Sequence, residues 1–198
     1  MPNSIPQQST GNSRDNEAHV QLSNETEARL LYNQARSRLL NVNSWKDFSG
    51  FFSADFTLTD GSGSKLEREP REGDYFRIKL PSPAPADEFD WVRIETIDEV
   101  ETDEMQYTSM RVRPSEDPVK ADSHIDHFFS DKATSNFTVM RKGSLVSAEV
   151  HGRNEQANVE HSGNITFGLR NIAVAAGALL GFSDFQWKKL VNGLLDIR

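Results

Sequence analysis

The chain has 198 residues, a formal net charge of -8 at pH 7 and no cysteine, so disulfides, thiolate metal sites and cysteine nucleophiles are excluded. Its 22 lysines and arginines are outnumbered by 30 acidic residues and form no basic run, which argues against nucleic acid as a partner. The hydrophobic fraction of 36% is low for a packed globule, but the shortage is concentrated near the N-terminus and in the loops, so the remainder can bury a core.

Residues 1–22 are polar and include Pro2, Pro6, Gln7, Gln8, Ser9, Gly11, Asn12 and Ser13, a composition that reads as a disordered tail ahead of one domain over 23–198. That stretch lacks the apolar segment of a secretory signal, and the most apolar run, 172–182, is far shorter than the roughly 20 residues of a membrane span. A cytoplasmic protein without a membrane span is the expectation. Ser23 or Asn24 is placed to cap a helix reaching about residue 41, with Glu25 and Glu27 in its first turn. Ala28, Leu31, Ala35 and Leu39 form its apolar stripe.

Six strand-like runs follow. In the first, Phe52, Ala54, Phe56 and Leu58 alternate with Ser53, Asp55, Thr57 and Thr59; in the second, Phe76, Ile78 and Leu80 alternate with Tyr75, Arg77 and Lys79. The proline-rich segment 81–85 interrupts the pattern. Residues 90–100 set Val92, Ile94 and Thr96 against Trp91, Arg93 and Glu95, and 105–113 set Thr108, Met110 and Val112 against Tyr107, Ser109 and Arg111. Residues 134–155 read as a hairpin turning at Lys142-Gly143. Counting outward pairs Val139 with Val146 and Phe137 with Ala148 on an apolar face, and Thr138 with Ser147, Asn136 with Glu149 and Thr134 with His151 on a polar one. Short turns between neighbours imply antiparallel pairing.

The C-terminus is expected as two helices. The first passes through Ala173 to Ala178 and ends near Gly181; the second opens at Ser183, whose spacing to Gln186 matches a capping box, and carries Trp187, Leu190, Val191 and Leu194 on one face.

Three groups of residues carry the chemical possibilities. Asp122-Ser123-His124-Ile125-Asp126-His127 resembles the His-x-His-x-Asp-His signature of the metallo-β-lactamase family, with aspartate in place of the first histidine. That resemblance implies a metal-dependent hydrolase with Asp122, His124, Asp126 and His127 as ligands; the same stretch also reads as a solvated loop capped by Asp122 or Ser123. On the hairpin, His151 is a candidate general base beside Glu149 or Glu155, Arg153 suits an anion, and Asn154 completes the polar group. Alternation alone also explains a polar face turned to water, except at Gly152, which marks a bulge that re-aims the residues after it. Trp91, Arg93, Tyr107 and Arg111 share one type of face on two neighbouring strands, as either a binding patch or a cover for the sheet.

The elements add up to an α+β fold, a curved, mostly antiparallel six-stranded sheet or partial barrel packed against one N-terminal and two C-terminal helices. This order resembles that of helix-grip, or START-like, domains, and the resemblance implies strands wrapped around a C-terminal helix with an apolar cavity between them. A non-catalytic binding domain is the resulting expectation, for a small apolar ligand or a protein partner and without a cofactor. A metal-dependent hydrolase and a structural component of a larger assembly are the alternatives.

Overall fold

The computed structural model describes residues 5–50, 53–80, 89–120, 125, 127–158 and 169–196; in the last segment side chains are described at 181 and 183–196. Among these residues the elements run β1 (Asn12–Gln21), α1 (Glu25–Leu40), α2 (Trp45–Ser49), β2 (Asp55–Thr59), β3 (Tyr75–Lys79), β4 (Asp90–Glu101), β5 (Met105–Pro114), β6 (Thr134–Lys142), β7 (Leu145–Glu155) and α3 (Leu169–Leu194). The strands form one antiparallel sheet in the order β1-β7-β6-β5-β4-β3-β2. The sheet is curved and the helices lie on its inner face, α1 against β6 and β7, α3 against β1 and β7, and α2 between β2 and α3. No described helix is long and apolar enough to cross a membrane.

The expected α+β class and curved antiparallel sheet are present, with two corrections. The sheet has seven strands, because residues 12–21, expected within a tail, pair with β7 from Asn12↔Glu155 to Gln21↔Leu145. An edge strand held by a backbone ladder needs little apolar surface, and β1 turns only Ala18 and Val20 into the apolar core. The two expected C-terminal helices are one. Gly181 is exposed and tolerated at about 1 kcal/mol in a helix interior, while Leu190, Val191 and Leu194 are buried on the face that holds the helix in place. The capping-box residues Ser183 and Gln186 lie in mid-helix and are buried.

Helix α1 starts where expected: Asn24 Oδ1 accepts from Glu27 N at 2.9 Å. Arg38 on α1 donates to the Gly193 and Leu194 carbonyls at 3.1 and 3.2 Å, tying down the C-terminal end of α3. Trp45 sits at the core's centre, 0% exposed. Phe56, Phe76 and Phe137 surround it with ring centroids at 5.2, 5.5 and 4.7 Å, and its indole N–H donates to Leu39 O at 2.9 Å.

The β6–β7 hairpin keeps its expected faces but not its expected register. Lys142 pairs with Leu145, Val139 with Ala148, Phe137 with Val150 and Asn136 with His151. The turn is centred on Gly143-Ser144, with Gly143 at φ 57° and Ser144 outside the positive region, the φ pattern of a type II′ turn. Relative to the expectation one strand is displaced by two residues, and a displacement of two leaves every side chain on its own face. In β4 a bulge at Glu95 displaces Thr96 to the outer face opposite Arg111 and brings Ile97 inward opposite Met110.

Candidate functional site

Strand alternation sends Phe56 and Ala54 from the β2 side, Phe76 and Ile78 from β3, Val92 from β4, Val112 from β5 and Phe137 from β6 onto the inner face, toward residues 183–187 of α3. A cavity remains between them, closed on the helix side by Ser183, Gln186 and Trp187 and on the loop side by His127, Phe128 and Phe129. Its empty volume is about 530 Å3 with the solvent-facing mouth included, of which about 50 Å3 admits the centre of a water molecule. Trp187 packs against Phe56 and Phe137 at 5.9 and 5.1 Å between centroids. His127 stacks on Phe128 at 4.3 Å and accepts from Phe129 N at Nδ1, 2.9 Å.

The polar members of this wall are few. Gln186 is 2% exposed, and its Oε1 accepts from Ala54 N at 2.9 Å. The described lining contains no lysine, arginine, aspartate or glutamate. The arrangement can hold an apolar group and orient it by a small number of hydrogen bonds.

None of the eight residues proposed from sequence as ligand contacts lines this cavity. Trp91, Arg93, Tyr107 and Arg111 do share the outer face, but they are spread along it. Tyr107 is opposite Val100, whereas Trp91 lies beyond the Val92↔Pro114 pair at the other end of β4 and β5. Both aromatic rings are buried. Arg111 pairs with Glu95 at 2.8 Å, and Arg93 is exposed with its guanidinium 6.0 Å from the Tyr75 ring centroid.

His151 and Arg153 also belong to the outer face, at the opposite edge. His151 Nδ1 is 2.6 Å from Asp15 Oδ1 and Nε2 is 3.0 Å from Glu149 Oε2, and Arg153 reaches the same Asp15 oxygen at 2.7 Å. Burial pulls the imidazole pKa down, but the hydrogen bonds to Glu149 and Asp15 outweigh it and leave it raised. The hydrogen bond from His151 holds Glu149 low against its burial. Burial would raise Asp15, yet Arg153 and His151 bring it below the ordinary value. With both ring nitrogens on carboxylates, the geometry suits an imidazolium and leaves neither nitrogen as a base.

Past this point the β1–β7 register shifts, from Arg14↔Gly152 to Asn12↔Glu155, the bulge expected at Gly152. Asn154 adopts φ 56°, its Oδ1 accepts from the Ser9 and Thr10 amides at 2.7 and 3.0 Å, and its own N–H donates to Gln8 Oε1 at 2.9 Å. The Glu155 carboxylate folds back over residue 152, where any Cβ would collide with it. It is 2% exposed and lies 3.2 Å from Arg14 Nε, without the alignment of a hydrogen bond. Burial raises its pKa, against the Arg14 charge. Asn154 and Glu155 therefore clamp the N-terminal segment to β7.

Of the metal-ligand candidates, Asp122, His124 and Asp126 lie outside the described residues, and His127 is in the cavity wall. Among the described residues no cluster of three or more histidines and carboxylates is arranged to hold a metal. Sequence reasoning passed over Gln186 because its spacing from Ser183 imitates a capping box. The signal was its phase: Ser183, Gln186, Leu190 and Leu194 fall on one stripe of α3, so Gln186 is a polar residue at an apolar position.

No protein-family model matches the chain, and no curated protein matches it by sequence. Among solved structures it is similar to a hypothetical protein from Helicobacter pylori, at 12% identity over 92% of this chain and 87% of that one, with a TM-score of 0.46. It is also similar to the major latex-like protein of Panax ginseng, at 10% identity over 86% and 96% of the two chains with a TM-score of 0.40. Norcoclaurine synthase from Thalictrum flavum superposes at 7% identity over 85% and 86%, with a TM-score of 0.35. Likeness of this degree carries no function over to this chain.

Proposed function

We propose that the protein is a non-catalytic binding domain that takes a small apolar ligand between the inner face of its sheet and α3. The cavity supports this reading, because its wall is built from phenylalanine, isoleucine, leucine and valine side chains of several strands and lacks a charged carboxylate or guanidinium among the described residues. Among the described residues the exposed large apolar side chains give no comparable support for a protein partner: Leu30, Val119, Leu145 and Phe185 are scattered over α1, a loop, β7 and α3.

Size limits the ligand. A cavity of about 150 Å3 accommodates benzene, so a slot in which about 50 Å3 is open admits an aromatic ring only if a wall side chain turns aside. Trp187 and Phe128 are half-buried and stand at the wall's solvent side, which makes them the movable members. Two measurements test the reading: native mass spectrometry of the freshly purified chain, and titration with ethylbenzene followed by tryptophan emission, with Trp187→Phe as the control. Retained mass, or a saturable Trp187-dependent change with a dissociation constant on the order of 0.1–1 mM, is expected for a ligand of this size. No retained ligand together with a non-saturating response would remove the reading.

A further inference from the structure

We infer that the ligand of this cavity is neutral and carries an oxygen acceptor, a ketone, aldehyde or ester carbonyl, which accepts a hydrogen bond from Nε2 of Gln186. The inference rests on the cavity being a ligand site. Its starting point is an unfinished hydrogen-bond account. Ala54 N can only donate, so the Gln186 carboxamide must turn its oxygen toward it. Nε2 is then the other arm of the carboxamide, and it is buried without a hydrogen-bond partner among the described residues. A buried amide with both N–H groups unanswered is costly, and native interiors seldom keep one without a reason.

The surroundings narrow what the missing partner can be. Gln186 is part of the cavity wall, and its polar neighbours in that wall are Ser183 one turn earlier and Ser135 across the cavity. The remaining titratable member is His127. Its Nδ1 accepts from Phe129 N, the geometry of a ring without a proton on that nitrogen. No lysine or arginine faces the cavity among the described wall residues, so a carboxylate or phosphate ligand would be buried there without a counter-charge from them. A neutral carbonyl satisfies the donor without that cost, and its hydrocarbon part meets the phenylalanine wall.

The test compares two ligands of matched shape, acetophenone and ethylbenzene, on the wild-type protein. Saturation-transfer NMR gives the affinities, and 15N-edited spectra follow the Gln186 side-chain amide. The expected result is binding about tenfold tighter for the ketone, with a downfield shift of the Gln186 amide protons on adding acetophenone and none on adding ethylbenzene. Gln186→Met should bring the two affinities together by weakening the ketone alone. Equal affinities in the wild type, or an unmoved Gln186 amide in the ketone complex, would overturn the inference while leaving the apolar cavity as a ligand site. Failure of both compounds to bind would instead remove the cavity reading, and this inference with it.

Discussion

His151 is held between two carboxylates of different strands, Asp15 on β1 and Glu149 on its own strand, with Arg153 sharing the Asp15 oxygen and Glu17 facing Glu149 across the ladder. His19 lies further along the same face of β1, opposite Ser147. A histidine whose folded pKa is raised contributes stability that is complete below its unfolded value of about 6.5 and is lost as pH rises through the folded value. Asp15 and Glu149, held low, contribute in the opposite sense: their share is present above the ordinary carboxylate range and fades as pH falls below it. The attachment of β1 should therefore be firmest between those limits and weaken on the alkaline side. Hydrogen exchange of amides 12–21, corrected for intrinsic rates, should show faster opening as pH passes above the histidine range. In His151→Gln that alkaline step should vanish; a step of unchanged size would show that His151 is not its source. Arg141 presents a different case, a guanidinium 0% exposed that donates to Gln106 Oε1, Gly143 O and Asp103 O at 2.8, 3.0 and 2.9 Å. These bonds join the β4–β5 and β6–β7 turns at one end of the sheet. Arg141→Ala leaves the buried Gln106 oxygen and the part-buried Gly143 and Asp103 carbonyls without their donor and should cost about 3 kcal/mol, read as a lower urea midpoint at unchanged m-value. A midpoint within error of wild type would refute that role.

The elements differ in how far their own residues announce them. Helix α1 was legible because Asn24, Glu25 and Glu27 mark its start locally. The faces of β3, β5, β6 and β7 were legible because alternation needs only neighbouring residues. The hairpin's register was not, since Lys142-Gly143 and Gly143-Ser144 both place a glycine in the turn and only the sign of φ at the second position separates them. Helix α3 looked broken because Gly181, Ser183 and Gln186 carry stop and start signals that tertiary burial overrides. Strand β1 was hidden for another reason: everything that makes it a strand belongs to β7, to the Arg14–Glu155 and Asp15–His151 contacts and to the Asn154 clamp. Deleting residues 1–21 should expose the edge of β7, with its unpaired backbone groups. Light scattering should then show association of the truncated chain at concentrations where the full chain does not associate. A monomer of undiminished thermal stability would mean that β1 is dispensable.

At the scale of the molecule, the inner apolar face could be assembled from sequence strand by strand, but not the fact that its members leave a gap. Phe56, Phe76, Phe137 and Trp187 read as core residues, and whether a core closes depends on helix placement that no local pattern encodes. On the outer face arginines, a histidine and carboxylates answer one another, Arg111 and Arg113 with Glu95, and Arg153 and His151 with Asp15, so the polar pattern there has a structural account that pairing across strands supplies. The sheet order has a consequence in time as well as in space. Of the described strands, β1 is the first to be synthesised, and its partner β7 is the last. At synthesis rates of about 5–20 residues per second, residues 12–21 wait on the order of 10 s before residues 145–155 exist to pair with them. A strand with a long apolar face would have that interval in which to stick to other nascent chains. With Ala18 and Val20 as its only aliphatic side chains, β1 can wait in water, and its resemblance to a tail is what biosynthesis demands of a strand that pairs last.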